Sequence, residues 1–193
     1  MNKIGLFSLV LSALFCTSIA QAYPIAFSAH LAPEVVGATG TGSVMLEFDA
    51  AAHTLSIDAS WAGLSGTTTV AHIHCCTAVP GIGTIGVAVT PSTLPGFPVG
   101  TQGGSYSIDL DLTLLATYTG GFLNNFGGGT VAGAEAALLA GLKSGSAYFN
   151  VHTTTFAGGE IRGFPTAVPE PMSLALFAMA LLGLFIVQRK KAV

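Results

Sequence analysis

Charge is scarce in this chain. Of its 193 residues, six are Lys or Arg and nine are Asp or Glu, together 8%. Between Tyr23 and Pro165 only Lys143 and Arg162 stand against Glu34, Glu47, Asp49, Asp58, Asp109, Asp111, Glu135 and Glu160, a net charge of minus six. Such a surface repels phosphate backbones and excludes a nucleic-acid partner. Catalytic signatures are missing too: there is no nucleophile elbow, no phosphate loop and no pair of catalytic carboxylates, so the expectation is a protein that is not an enzyme. Asp109 and Asp111 share a strand face, but a calcium loop needs more oxygen ligands at close spacing, and a solvated face is the better reading. No internal repeat is visible.

Hydrophobic residues are abundant, at 51%, and the long apolar runs lie at the two ends. At the amino end Lys3 precedes an apolar run from Ile4 to Phe15 and the small-residue site Ala20-Gln21-Ala22. That is the layout of a signal peptide over residues 1–22, cut after Ala22 by signal peptidase; Cys16, preceded by Leu14 and Phe15, leaves with it. At the carboxyl end Val168-Pro169-Glu170-Pro171 precedes sixteen uncharged residues, Met172 to Val187, and then Arg189, Lys190 and Lys191. As a helix, 172–187 spans about 24 Å, slightly short of the ~30 Å hydrocarbon core. Its uniform apolarity predicts a transmembrane anchor with the basic tail 188–193 in the cytoplasm and everything before Pro169 outside.

Pro169-Glu170-Pro171, a short hydrophobic helix and a basic terminus resemble the PEP-CTERM sorting signal of Gram-negative bacteria, over residues 166–193. The resemblance implies recognition by an exosortase, cleavage near the Pro-Glu-Pro motif and transfer to the cell surface or extracellular matrix. The family favours arginine in the basic cluster; here one arginine stands with two lysines.

Residues 23–165 are enough for a single core. Their periodicity is mostly two: Val44, Leu46 and Phe48 alternate with Met45 and Glu47, and Leu55, Ile57, Ala59 and Trp61 with Ser56, Asp58 and Ser60. This predicts two strands joined as a hairpin across 49–53. Further strands are expected at Ile25–Leu31, Thr68–His74, Ile85–Thr90, Ser105–Leu110, Ala147–His152 and Glu160–Phe164, separated by loops rich in glycine and proline. One stretch has helical spacing, with Thr130 as cap, Ala134, Leu138 and Leu142 on one face, and Gly145 as stop. The expected fold is mainly β, an antiparallel β-sandwich with one short crossover helix.

The segments "TVAHIH", "SAYFNVHT" and "GGEIRGF", with the earlier "AHLAPEVVGATGTGSV", resemble a CHRD (chordin-like) domain across Ala29 to Phe164. The resemblance implies an immunoglobulin-like or superoxide-dismutase-like sandwich and implies little about activity.

The stretch "AHIHCCT", Ala71 to Thr77, concentrates reactive side chains. On a strand His72, His74 and Cys76 face one way and Ile73 and Cys75 the other. Two imidazoles about 7 Å apart at Cα can converge on one ion at about 2.0 to 2.1 Å. His152, which shares a face with Tyr148 and Asn150, is the expected third ligand, with Glu160 as a further candidate. Copper or zinc would suit such a set, Cys76 favouring copper. The competing reading is that these histidines are satisfied by one another, by Glu160 or by backbone carbonyls, with no cofactor. His30 and His53 read as surface residues, and Arg162 as the partner of a carboxylate inside the fold. Cys75 and Cys76 enter an oxidising compartment, where a vicinal disulfide becomes feasible if the strand ends at His74. Two functions follow as expectations: an exported structural or adhesive domain, binding matrix polysaccharide or a surface protein through loops 91–104 and 120–129, or a metal-binding protein using His72, His74 and His152, dismutase-like or metal-storing.

Overall fold

The structure is a computed structural model that describes residues 23–169. The signal segment with Ala20 and Ala22, the sorting residues Glu170 and Pro171, the apolar run 172–187 and Arg189, Lys190 and Lys191 lie outside the described residues. No helix among those described is long and apolar enough to cross a membrane.

Among the described residues nine strands and two α-helices run in the order β1 (Ile25–Pro33), β2 (Thr41–Asp49), β3 (Thr54–Ala62), β4 (Thr68–His74), β5 (Val87–Val89), β6 (Gly104–Asp111), α1 (Gly120–Asn125), α2 (Val131–Ser144), β7 (Tyr148–Thr153), β8 (Ile161–Gly163) and β9 (Thr166–Ala167). All strand pairs are antiparallel, in the order β5-β4-β7-β8-β1-β2-β3-β6, with β9 beside β1. The sheet curls through β1, whose residues 25–31 pair with β2 while Ala32 and Pro33 pair with β8. β9 extends the paired region past residue 165, the boundary expected from sequence.

Alternation builds one wall of the core. Val44, Leu46 and Phe48 are buried and stand opposite Ala59, Ile57 and Leu55, which in turn face Tyr106, Ile108 and Leu110 of β6. The β2–β3 hairpin turns where expected, with Asp49 Oδ1 accepting from the amides of Ala51 and Ala52. The opposite wall is made by Ala71 and Ile73 of β4, Phe149 and Val151 of β7 and Ile161 of β8, all fully buried.

Helix α2 follows its sequence signals: Thr130 Oγ1 accepts from the Gly133 amide, Ala134, Leu138 and Leu142 are buried, and Gly145 caps the end at φ 72°. One crossover helix was expected between the strands, and the described residues hold two α-helices there. The extra one, α1, lies in a glycine-rich stretch that read as loop; the Thr119 cap on the Phe122 amide and burial of the Phe122 ring outweigh poor helix propensity. Segment 91–104 is a loop anchored at two points and otherwise mostly exposed: Leu94 and Phe97 are buried, Phe97 stacks on Trp61 at 5.0 Å, and the Tyr106 hydroxyl donates to Pro95 O.

Candidate functional site

Strands β4 and β7 are neighbours, so residues 80 apart in sequence meet. Val70 pairs with His152, His72 with Asn150 and His74 with Tyr148. Because Ala71, Ile73, Phe149 and Val151 take the core side, all three histidines point to the other face of the sheet. His72 and His74 are buried, 7% and 8% exposed, under the segment that carries Ile85 and Ser92, and His152 is half-buried. One ring nitrogen of each lies within 4.8 Å of those of the others.

Each imidazole spends its other nitrogen on a backbone carbonyl. His72 Nε2 lies 2.9 Å from Ser92 O, His74 Nδ1 2.7 Å from Ile85 O and His152 Nδ1 2.8 Å from Ala157 O. A carbonyl only accepts, so these nitrogens carry the protons and assign the tautomers. The remaining lone pairs, on His72 Nδ1, His74 Nε2 and His152 Nε2, belong to the convergent side. His72 Nδ1 and His152 Nε2 are 3.4 Å apart, with no hydrogen between them when both rings are neutral. Two nitrogens on a tetrahedral ion with bonds of about 2.0 to 2.1 Å sit roughly 3.3 Å apart, so this spacing suits a shared cation. Burial, reinforced by the neighbouring histidines, lowers the pKa of His72 and outweighs its bond to Ser92 O. Burial also lowers that of His74, with the Ile85 bond opposing and His152 assisting. Both rings are thereby kept neutral, the form that binds a metal.

Backbone carbonyls behind metal-binding imidazoles fix ring orientation and raise ligand basicity. The His74 ring is held further by stacking on Tyr148, with centroids 4.6 Å apart and planes 3° from parallel. On Tyr148 also sits the Arg162 guanidinium, 5.2 Å from the ring centroid.

Two residues expected near an ion are elsewhere. Glu160 is turned inward, where it accepts from the Ser65 amide and hydroxyl, the Gly66 amide and the Thr153 hydroxyl. Cys76 does not share the histidine face, because β4 ends at His74. There the Sγ atoms of Cys75 and Cys76 meet across a cis peptide, and helix α2 passes over them at Gly141, where any Cβ would strike both sulfurs. Asp109 and Asp111 are exposed and held by the Ser56 and Thr113 hydroxyls. His30 is exposed as expected; exposed His53 also pairs with Glu135 at 2.9 Å.

Residues 27–164 match the family model for the CHRD domain. The chain belongs to the CHRD-domain family. No curated protein and no solved structure matches it. The motifs of the CHRD domain now have local explanations. In "GGEIRGF" Gly159, at φ 128°, leaves room for a hydrogen bond between Asn150 and Glu34; Glu160 ties β7 to the turn at Ser65; Ile161 fills the core; and Arg162 Nη1 pairs with Glu34 Oε1 at 3.2 Å. That pair is not a two-pronged fork, because Glu34 Oε2 takes the Asn150 amide and Arg162 Nη1 also donates to Gly83 O.

Sequence reasoning named the three histidines but gave no role to Asn150, Glu34 or Tyr148. Asn150 shares the face of His152 by strand parity, a usable signal. The carbonyls of Ile85, Ser92 and Ala157 leave no trace in residue type.

Proposed function

We propose that this CHRD domain binds a single copper or zinc ion through His72 Nδ1, His74 Nε2 and His152 Nε2, as a binding or storage protein rather than an enzyme, outside the cytoplasm. The observation that carries the metal reading is the matched set of tautomers: three rings, each anchored by a carbonyl, each with its free lone pair on the convergent side. Satisfaction by hydrogen bonds alone accounts for one nitrogen of each ring, leaves buried His74 Nε2 without a partner and sets His72 Nδ1 against His152 Nε2 at 3.4 Å. A purely adhesive role has less support, since it assigns nothing to the convergent histidines.

Export and sorting rest on the two ends of the chain: the Lys3 start and Ala20-Gln21-Ala22, then Pro169-Glu170-Pro171, the apolar run 172–187 and Arg189, Lys190 and Lys191. They make signal peptidase, the membrane and an exosortase its partners in transit, with the cell surface or matrix as destination. In that oxidising setting we read Cys75–Cys76 as a closed disulfide, and the curled sheet as a sandwich of immunoglobulin-like or dismutase-like kind.

Native mass spectrometry of the chain recovered from its host's envelope tests both halves. The expected mass begins at Tyr23, ends near Pro171 and carries one copper or zinc ion, which the His72→Ala, His74→Ala, His152→Ala variant loses. A wild-type chain without metal sinks the metal reading, and an intact Val193 sinks the sorting reading.

A further inference from the structure

A fourth acceptor stands beside the three imidazoles. Asn150 lies opposite His72 in register, shares the face of His152 and is 1% exposed. Its orientation is set from behind: Nδ2 donates to Glu34 Oε2 at 2.9 Å, and Glu34 is held in turn by Arg162. With the N–H end committed to Glu34, the amide oxygen is the group left for the other side. That side is His74, whose ring the amide reaches closely enough to accept a hydrogen bond from it when the imidazole is protonated. With the ring neutral and its proton on Nδ1 toward Ile85 O, neither Asn150 Oδ1 nor His74 Nε2 has a hydrogen-bond partner. A buried acceptor left unmatched costs about 1–3 kcal/mol, and native folds keep few of them. A cation held between these two atoms satisfies both.

The backbone is shaped around the same device. A Cβ at Gly159 would run into both Asn150 Nδ2 and Glu34 Oε2, so the left-handed glycine there leaves space for the bond that aims the amide.

We propose that Asn150 Oδ1 is the fourth ligand of the ion held by His72, His74 and His152, and that Glu34 and Arg162 are its positioning residues. This rests on the metal reading above and makes the site three nitrogens and one oxygen, closed on the protein side. The ligand set then contains a hard oxygen and no thiolate, which favours a divalent ion, Cu(II) or Zn(II), over Cu(I). The hydrogen bond to the Glu34 carboxylate polarises the amide and makes its oxygen a better donor to the ion.

The test is a Cu(II) titration of the stripped full-length protein, read by electron paramagnetic resonance, for wild type, Asn150→Ala and Glu34→Ala. Asn150→Ala is expected to keep three imidazole ligands, to bind at least ~10-fold more weakly and to give an altered copper hyperfine pattern. Glu34→Ala leaves the amide in place but free to turn, and is expected to weaken binding in the same direction. If Asn150→Ala does not fold, Glu34→Ala decides by the same readout. Affinity and spectrum unchanged from wild type overturn the fourth ligand and leave a water as the partner of the amide. A wild-type protein that takes up no copper or zinc overturns the metal reading itself, a result distinct from loss of the fourth ligand alone.

Discussion

Glu160 is fully buried and takes hydrogen bonds from the Ser65 amide and hydroxyl, the Gly66 amide and the Thr153 hydroxyl. Burial alone would push its carboxyl up, but these donors together outweigh it and hold the pKa below 4.5. Above 4.5 the group is ionised in folded and unfolded chains alike, and its contribution to stability is complete. As pH falls below 4.5 the unfolded chain takes up the proton first, so the contribution fades until the folded carboxyl is protonated as well. Glu160→Gln places an amide N–H among four donors and should lower stability at neutral pH by about 1–3 kcal/mol. Urea midpoints for the two proteins should converge in acid, and a gap that stays constant as pH drops would refute this role. The same residue shows how far residue-level reading reaches. Sequence suggested a metal ligand because Glu160 follows His152 by one turn, but Glu160 precedes β8, and its carboxylate is turned inward by the donors of Ser65, Gly66 and Thr153, while His152 faces out with Asn150. His72 and His74 were legible because two-residue spacing fixes a shared face. Their tautomers were not, because Ser92 and Ile85 act through backbone carbonyls.

At the scale of elements, the stretches whose signals are local were readable. β2 and β3 announce themselves by alternation, and α2 by Thr130, its apolar spacing and Gly145. α1 was hidden because its stability comes from the buried Phe122 ring and not from its glycines. The pairing of β4 with β7 is also invisible to local pattern, since it joins segments 80 residues apart. α2 and the end of β4 are fitted to each other at Gly141, which lies over Cys75 and Cys76. Gly141→Ala should gain a little helix propensity and lose more to the clash, a net destabilisation of about 1–3 kcal/mol. A lowered melting temperature is the expected readout. An unchanged or raised one would mean that α2 can shift without cost, and that its contact with the cysteine pair is not a fixed feature of the fold.

For the whole molecule, one curled antiparallel sheet does two things. Its inner face buries the residues of both walls, and its outer face gathers polar groups that no single segment could bring together. His72 and His74 come from β4, His152 and Asn150 from β7, Arg162 from β8 and Glu34 from just past the end of β1. This explains why the family's motifs are scattered along the chain: in space they form adjacent parts of one sheet face and its support. A mainly β, antiparallel fold was legible from strand periodicity, whereas the continuous path through β1 was not, because it depends on one strand pairing with different partners at its two ends. The sheet sets the three rings close enough that small side-chain rotations close them on one ion, which makes the ion's position the decisive observable. That position can be read by anomalous X-ray scattering from crystals of the protein loaded with Cu(II) or Zn(II). The account predicts a single strong peak about 2.0 to 2.1 Å from His72 Nδ1, His74 Nε2 and His152 Nε2. A metal bound anywhere else, or no peak among these three nitrogens, would contradict it.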